Sequence, residues 1–105
     1  MRRGEVWWAD LPAPAGRRPV LLLSRDEAYA VRNLVIMSPL TTHSRGLRTE
    51  VELGPEDGLP MSSVANLDVI ITESKRRLLD RVTVLRPEKV QAVEAAIRFA
   101  LGLDD

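Results

Sequence analysis

The sequence predicts a mainly β protein with short α-helices (α+β), built as a small, strongly curved sheet or partly open barrel with helices packed on it. Many short apolar or alternating segments are separated by turn residues at short intervals, which is typical of such sheets. A single long helical stripe follows Pro87, where Val90, Val93 and Ile97 recur at helical spacing. Because no repeat or linker interrupts the 105 residues, we expect one domain over residues 1–105.

The strand predictions follow from β-branched and aromatic runs bounded by glycine and proline. We expect strands over residues 5–11, 19–23, 34–37, 49–53, 62–66, 69–72 and 81–85, with a charged turn or single helical turn over 73–77. Trp7 and Trp8 are consecutive in the first strand and therefore face opposite sides of the sheet. One should anchor the core, and the other is available for a base or an interface.

Two helices are predicted. Ser24 and Glu27 have the spacing of a capping box, which favours a short helix over about residues 25–32. The C-terminal helix begins at Pro87 and ends at Gly102.

The second strand begins beside two arginines. Residues 19–23 form a continuous apolar run, which predicts burial on both faces of the sheet. Pro19 favours an extended conformation for Arg18, so we expect this side chain at the entrance of the strand. A solvated basic corner is the ordinary interpretation of Arg17 and Arg18 when the pair is taken alone.

Composition excludes several classes of function. The chain has no cysteine, a single histidine (His43) and no nucleotide-binding glycine motif, so we expect neither a metal site nor a cofactor. No run of about 20 apolar residues is present, and we expect no membrane span. These features favour a cytoplasmic protein.

Charge is unevenly distributed although its formal sum is zero. Residues 1–48 contain eight arginines against four carboxylates, whereas residues 49–105 contain seven basic against eleven acidic side chains. The basic N-terminal half points to an anionic partner on one side of the molecule. An acidic patch could equally serve a basic protein partner.

The chemistry that remains is that of arginine, hydroxyl and backbone groups, which suits a phosphodiester. A guanidinium stays charged and can stabilise the negative charge that develops at phosphorus. RNA supplies its own nucleophile in the 2′-OH, so a protein needs to align the strand and neutralise charge. Thr41 and Thr42 could bond the phosphate from a second direction if their strand end lies next to Arg18, although such threonines more often have ordinary strand or capping roles.

Several sequence blocks occur together in a specific order. They are Gly4–Leu11, Arg18–Ser24, Ser38–Thr41, Ser63–Asp68, Lys75–Leu78 and the helix start Pro87–Lys89. With these blocks the whole chain resembles the MazF/PemK toxins of bacterial type II toxin–antitoxin systems.

The resemblance implies a small SH3-like β-barrel of the MazF/PemK/CcdB type with a C-terminal helix, and a homodimer. It implies a metal-independent, sequence-specific endoribonuclease (an mRNA interferase) that cuts single-stranded RNA to 2′,3′-cyclic phosphate and 5′-OH ends. By the same resemblance Arg18 and Thr41 are the catalytic residues. We expect Arg17, Thr42, His43 and Arg45 to bind RNA.

The resemblance also implies a cognate antitoxin, whose acidic flexible tail would lie across the basic side. Val69 and Ile71 stand where the family often has glutamine and arginine, so the base contacts made there do not transfer to this chain. Two alternatives share the fold: a non-catalytic toxin that binds DNA gyrase, and an inactive module that binds RNA or antitoxin.

Overall fold

The computed structural model describes residues 1–103 of the chain. The strands are β1 (Glu5–Asp10), β2 (Arg17–Leu22), β3 (Leu34–Thr41), β4 (Glu50–Leu53), β5 (Ser63–Asn66), β6 (Ile71–Ser74) and β7 (Leu78–Val84). The helices are α1 (Ala28–Val31) and α2 (Pro87–Ala100), with 3-10 turns at Pro55–Asp57 and Lys75–Arg77. The predicted mainly β fold with a C-terminal helix is confirmed.

Within the described residues the strands form one antiparallel sheet in the order β4-β5-β3-β2-β1-β7. The long strand β3 is its centre, because it pairs with β2 on one edge and with both β5 and β6 on the other. Strand β6 pairs with the first half of β3 and β5 with its last two residues, so two short strands follow one another along this edge. The result is the curved half-barrel that the turn spacing predicts.

Both faces of the sheet are covered at its centre. Alternate residues of β2 enter two different apolar clusters, with Leu21 in one and Val20 and Leu22 in the other. All three side chains are fully buried, which confirms the prediction drawn from the continuous apolar run. The two clusters hold the N-terminal end of β2, and therefore its arginines, in a fixed position.

Helix α2 covers one of these clusters. Val93 and Ala96 are buried in it, and Val90 and Ile97 pack at its margin, as the helical spacing predicts. The helix approaches the start of β1 closely, because a Cβ added at Gly4 would lie 2.7 Å from a methyl carbon of Val90. Gly102 has the positive φ of 69° that a helix end requires, which confirms the predicted C-terminus.

The predicted capping box between Ser24 and Glu27 is wrong. Helix α1 is a four-residue turn without a side-chain cap, shorter than the predicted helix over residues 25–32. The hydroxyl of Ser24 instead accepts a hydrogen bond from the backbone N–H of Ile36 at 2.8 Å. Because this bond joins the chain to β3, a tertiary contact takes the oxygen that the local motif would have used.

Several strand boundaries differ from the predictions, and β2 begins at Arg17, two residues before the predicted Pro19. Strand β6 begins at Ile71 instead of Val69, whose N–H closes a turn onto the carbonyl of Asn66. Strand β3 continues to Thr41, and β7 begins at Leu78, ahead of the predicted residue 81. The early start of β7 follows from its pairing with β1, where Leu78 lies opposite Ala9 across a bulged register. Of the turn predicted over residues 73–77, Lys75–Arg77 form a helical turn, whereas Glu73 and Ser74 belong to β6.

Among residues 1–103, no helix combines the length and the apolar character needed to cross a membrane.

Tyr29→Phe should remove a source of instability at high pH. The buried Tyr29 hydroxyl makes no hydrogen bond of normal geometry among the described residues. Burial, and then the charge of Asp26, raise the pKa of Tyr29 to about 12. The unfolded chain releases this proton first, near pH 10, so the free energy of unfolding of the wild type should fall above about pH 10.

Chemical denaturation of both proteins at about pH 8 and about pH 11 measures this difference. We expect Tyr29→Phe to be at least as stable as the wild type at the lower pH. At the higher pH its free energy of unfolding should exceed that of the wild type by a larger margin. A stability gap that stays the same at both pH values would contradict this account.

Candidate active site

The pairing of three central strands brings the start of β2 to the end of β3. Arg18 lies opposite Ala9 of β1, and Val20 lies opposite Pro39 of β3. Continued two residues beyond Val20, the β2–β3 register leads to Arg18 on one strand and Thr41 on the other. The sheet itself therefore brings together two side chains that are 23 positions apart in the sequence.

Both residues line one cavity of about 610 Å³ at this corner of the sheet. Its walls come from β1, β2, β3, the loop after β3 and the segment before β5. The lining residues are Trp8, Arg18, Pro19, Leu40, Thr41, Thr42, His43, Leu59, Pro60, Met61 and Ser63. Its volume lies within the range of small-molecule and nucleotide pockets, about 300–1,000 Å³.

One nitrogen of the Arg18 guanidinium is hydrogen-bonded within the protein, and the other two can bind a ligand. Its Nε donates to the carbonyl of Ala15 at 3.1 Å, and the side chain is half-buried. Its two terminal nitrogens make no hydrogen bond or ion pair with any described residue. An arginine fixed at Nε with its terminal nitrogens unused is suited to bind an anion in the cavity.

Thr41 is held at the end of β3 by a strand pair and a turn. It lies opposite Val64 of β5, and its Oγ1 accepts the backbone N–H of His43 at 3.2 Å. With its acceptor role used locally, the hydroxyl still has a proton to donate. Thr41 can therefore offer a neutral donor to the anion that Arg18 attracts.

The two tryptophans divide as the alternation predicts. Trp7 packs against the apolar cluster that contains Val20, and its indole N–H donates to Glu5 at 2.8 Å. Trp8 lines the cavity instead. The Arg17 guanidinium carbon lies 5.9 Å from the centre of the Trp8 ring, so Arg17 borders the cavity through a cation–π contact and does not line it.

The loop after β3 is ordered by one carboxylate. Glu50, at the start of β4, accepts the backbone N–H groups of Arg45 and Leu47 at 3.1 Å and the Ser44 hydroxyl at 3.4 Å. This arrangement fixes the loop that carries Thr42 and His43 into the cavity. Arg45 itself is exposed and lies outside the lining, unlike the other two predicted loop residues.

Sequence reasoning missed the opposite wall of the cavity. Leu59, Pro60, Met61 and Ser63 form it. The sequence predicts a turn up to Pro60 and a strand from Ser62, and neither prediction points to a cavity. No local signal distinguishes these residues, because the curl of β5 onto β3 is what brings them to the cavity. Of the lining residues, only Arg18 has a permanent charge, so the cavity combines one cation with hydroxyls and an apolar wall.

The two residues that differ from the family's usual sequence lie outside the cavity. Val69 is exposed, and Ile71 packs against the cluster that contains Met37, with which it also pairs in the sheet. Neither residue lines the cavity.

Among residues 1–103, no group of three or more His, Cys, Asp or Glu side chains is placed to hold a metal ion.

The fold and cavity define a class: a small curled β-sheet protein with an arginine and an adjacent hydroxyl lining one cavity at a strand corner. The sequence matches the PemK-like, MazF-like toxin family of type II toxin–antitoxin systems over residues 2–101. The chain belongs to this family, which confirms the predicted relationship.

Named relatives agree in sequence and in structure. The probable endoribonuclease MazF5 of Mycobacterium tuberculosis is 40% identical over 100 residues, covering 94% of this chain and 91% of the relative. The solved toxin MazF-mt6 of the same species has a TM-score of 0.87 at 32% identity, covering 96% and 99% of the two chains. A mycobacterial endoribonuclease in complex with its cognate antitoxin has a TM-score of 0.89 at 32% identity, covering 100% and 98%.

Glu50→Ala should loosen the loop that carries Thr42 and His43. The substitution leaves the N–H groups of Arg45 and Leu47 without their carboxylate acceptor, so these amides should exchange with solvent at least about tenfold faster. Hydrogen–deuterium exchange of the folded variant measures this directly.

Glu52→Ala is the matched control, because Glu52 lies two residues along the same strand and its side chain binds none of these amides. Its exchange at Arg45 and Leu47 should equal that of the wild type. Equal rates in Glu50→Ala would contradict the assigned role of Glu50.

Proposed function

We propose that this chain is the toxin of a type II toxin–antitoxin system and acts as a metal-independent, sequence-specific endoribonuclease on single-stranded RNA. The observation that carries the proposal is that Arg18 and Thr41 line one cavity, with the terminal nitrogens of Arg18 unengaged. Relatives named as endoribonucleases support it. The family match over residues 2–101 supports assigning residues 1–105 to a single toxin domain.

The proposed reaction uses the nucleophile that RNA contains. The ribose 2′-oxygen bonds to the adjacent phosphorus, the bond from phosphorus to the 5′-oxygen breaks, and the proton is transferred overall from the 2′-OH to the leaving oxygen. The products are a 2′,3′-cyclic phosphate and a 5′-OH. Arg18 takes part in the proton transfer and, with Thr41, stabilises the charge on the phosphoryl oxygens, a role that one well-placed donor fills with about 10²–10³ in rate.

Four further residues are assigned to RNA binding. Thr42 and His43 line the cavity beside Thr41. Arg17 lies over Trp8, and Arg45 projects from the loop beyond it. Their position around the cavity suits contacts to the phosphates on either side of the cleaved bond.

The same cationic corner is the proposed site of an antitoxin. A relative has been solved with its cognate antitoxin, and MazE–MazF structures are known from Deinococcus radiodurans. An acidic flexible tail laid over Arg17, Arg18 and Arg45 would neutralise them and block RNA from the cavity. An RNA substrate and a chain without cysteine favour the cytoplasm as the site of action.

We assign the homodimer contact to an apolar groove on the opposite part of the molecule. Ile36, Ile70, Ile97 and Leu101 line one groove of about 600 Å³ where β3 meets α2. Ile36 is 42% exposed and Leu101 is 59% exposed, which is unfavourable for neighbouring large apolar side chains in water. A second copy related by a two-fold axis would bury the same groove on both chains.

Arg18→Ala should abolish cleavage of a long single-stranded RNA in excess EDTA, with a loss of at least about 10²-fold in rate. The wild type should give discrete fragments with 5′-OH ends under the same conditions. Thr41→Val keeps the shape of the side chain and removes its hydroxyl, and it should lower the cleavage rate by a smaller but measurable factor. End mapping of the fragments measures both the activity and the sequence cut.

Arg32→Ala is the matched control, since Arg32 is exposed and lies outside the cavity. It should cut like the wild type. Intact RNA with a well-folded wild-type dimer would overturn the nuclease proposal and direct attention to gyrase inhibition or to binding without catalysis.

Ile36→Glu should convert the dimer to a monomer. The cations that line the groove, Arg3 and Arg98, already have partners, so a carboxylate at position 36 would lose its hydration on burial against a second copy without a compensating ion pair. Light scattering after size exclusion should report half the wild-type mass, while circular dichroism should report an unchanged fold. Val31→Glu makes the same change at an apolar residue that is 76% exposed outside the groove, and it should remain dimeric.

A further inference from the structure

A second, smaller cleft adjoins the Arg18 cavity. It has a volume of about 220 Å³, below the range of about 300–1,000 Å³ that holds a drug-sized ligand. Thr42 and Ser63 line both spaces, so the cleft continues the cavity beyond the end of β3. The other lining residues are Ser44, Glu52, Leu53, Gly54, Glu56, Ser62 and Val64. Its size and position suit a single nucleobase of an RNA that is bound at Arg18.

The chemistry of the cleft is opposite to that of the cavity. It contains no basic side chain, and its two carboxylates, of Glu52 and Glu56, make no hydrogen bond or ion pair with any described residue. Glu56 leans over Gly54, where an added Cβ would lie 2.8 Å from its Oε2. The missing side chain at Gly54 thus leaves the room in which this carboxylate lies.

A carboxylate without a partner repels the phosphates of a bound RNA. It can stabilise the complex only if it contacts a base. Phosphates are drawn to Arg18, so the part of the nucleotide that reaches the cleft must offer hydrogen-bond donors to its carboxylates. An ionised carboxylate accepts two parallel hydrogen bonds and donates none. Among the four bases, guanine presents two adjacent donors, N1–H and the 2-amino group. Cytosine and adenine present one amino group each, and uracil presents only N3–H between two repelling carbonyl oxygens.

We propose that the cleft binds the base of a nucleotide next to the cleaved phosphate and selects guanine through the Glu56 carboxylate. The hydroxyl of Ser62 can donate to the guanine O6, because a hydroxyl both donates and accepts and Ser62 lines the cleft. The inference rests on the proposed function for the identity of the bound chain as RNA. It adds a specificity residue outside the catalytic pair and predicts one base of the sequence that is cut.

Binding of non-cleavable RNA tests the cleft independently of catalysis. The probes are 2′-O-methyl hexauridylate and six versions of it, each with one uridine replaced by guanosine. The wild type should bind one of the six at least about tenfold more tightly than hexauridylate, as a two-bond base contact provides. Glu56→Gln presents one donor and one acceptor, which mismatches guanine, and should lose this preference.

Glu27→Gln removes the same charge from an exposed residue outside both spaces and should keep the guanine preference. A wild type with no preferred guanosine position, or a preference retained in Glu56→Gln, would overturn the inference. A parallel cleavage map separates the two proposals. If RNA is cut but the cut does not depend on a guanine recognised by Glu56, the inference about the cleft is wrong and the nuclease proposal stands. If the protein binds guanine selectively but cuts no RNA, the nuclease proposal is wrong and the cleft remains a base-binding site.

Discussion

The antiparallel register between β2 and β3 is the constraint on which the candidate site depends. Val20 opposite Pro39 leads the two strands to Arg18 and Thr41 at the same corner of the sheet. A shift of one residue would move Leu21 into the cluster that holds Val20 and Leu22 and move those two side chains into the other cluster, so the packing of both clusters holds the register. The apolar core thereby sets the positions of the polar pair.

The cavity is asymmetric in a way that suits a nucleotide. The cation of Arg18 and several hydroxyls form one part of its lining, and apolar side chains that include Trp8, Pro60 and Met61 form another. Phosphate chemistry needs the first, and bases stack or pack on the second. The adjoining cleft with Glu56 adds a third environment that repels phosphate and accepts hydrogen bonds. Charge is thus arranged so that each part of a bound nucleotide has one favourable location.

Local order at the site comes from backbone groups held by side chains from other elements. Glu50 fixes the loop after β3 through three of that loop's residues, and the Ala15 carbonyl fixes Nε of Arg18. Such contacts reduce the entropy that the protein loses when a ligand binds.

The sequence alone determined the fold class, the succession of strands along the chain and the C-terminal helix, because alternation, turn residues and the stripe of Val90, Val93 and Ile97 are local signals. It also singled out Arg18 and Thr41 through a family resemblance. The tertiary structure decided that these two residues share a cavity and that the segment Leu59–Ser63 closes it. It also redirected Ser24 from a helix cap to β3. These features arise from pairings between distant strands, whose partners no local sequence pattern specifies.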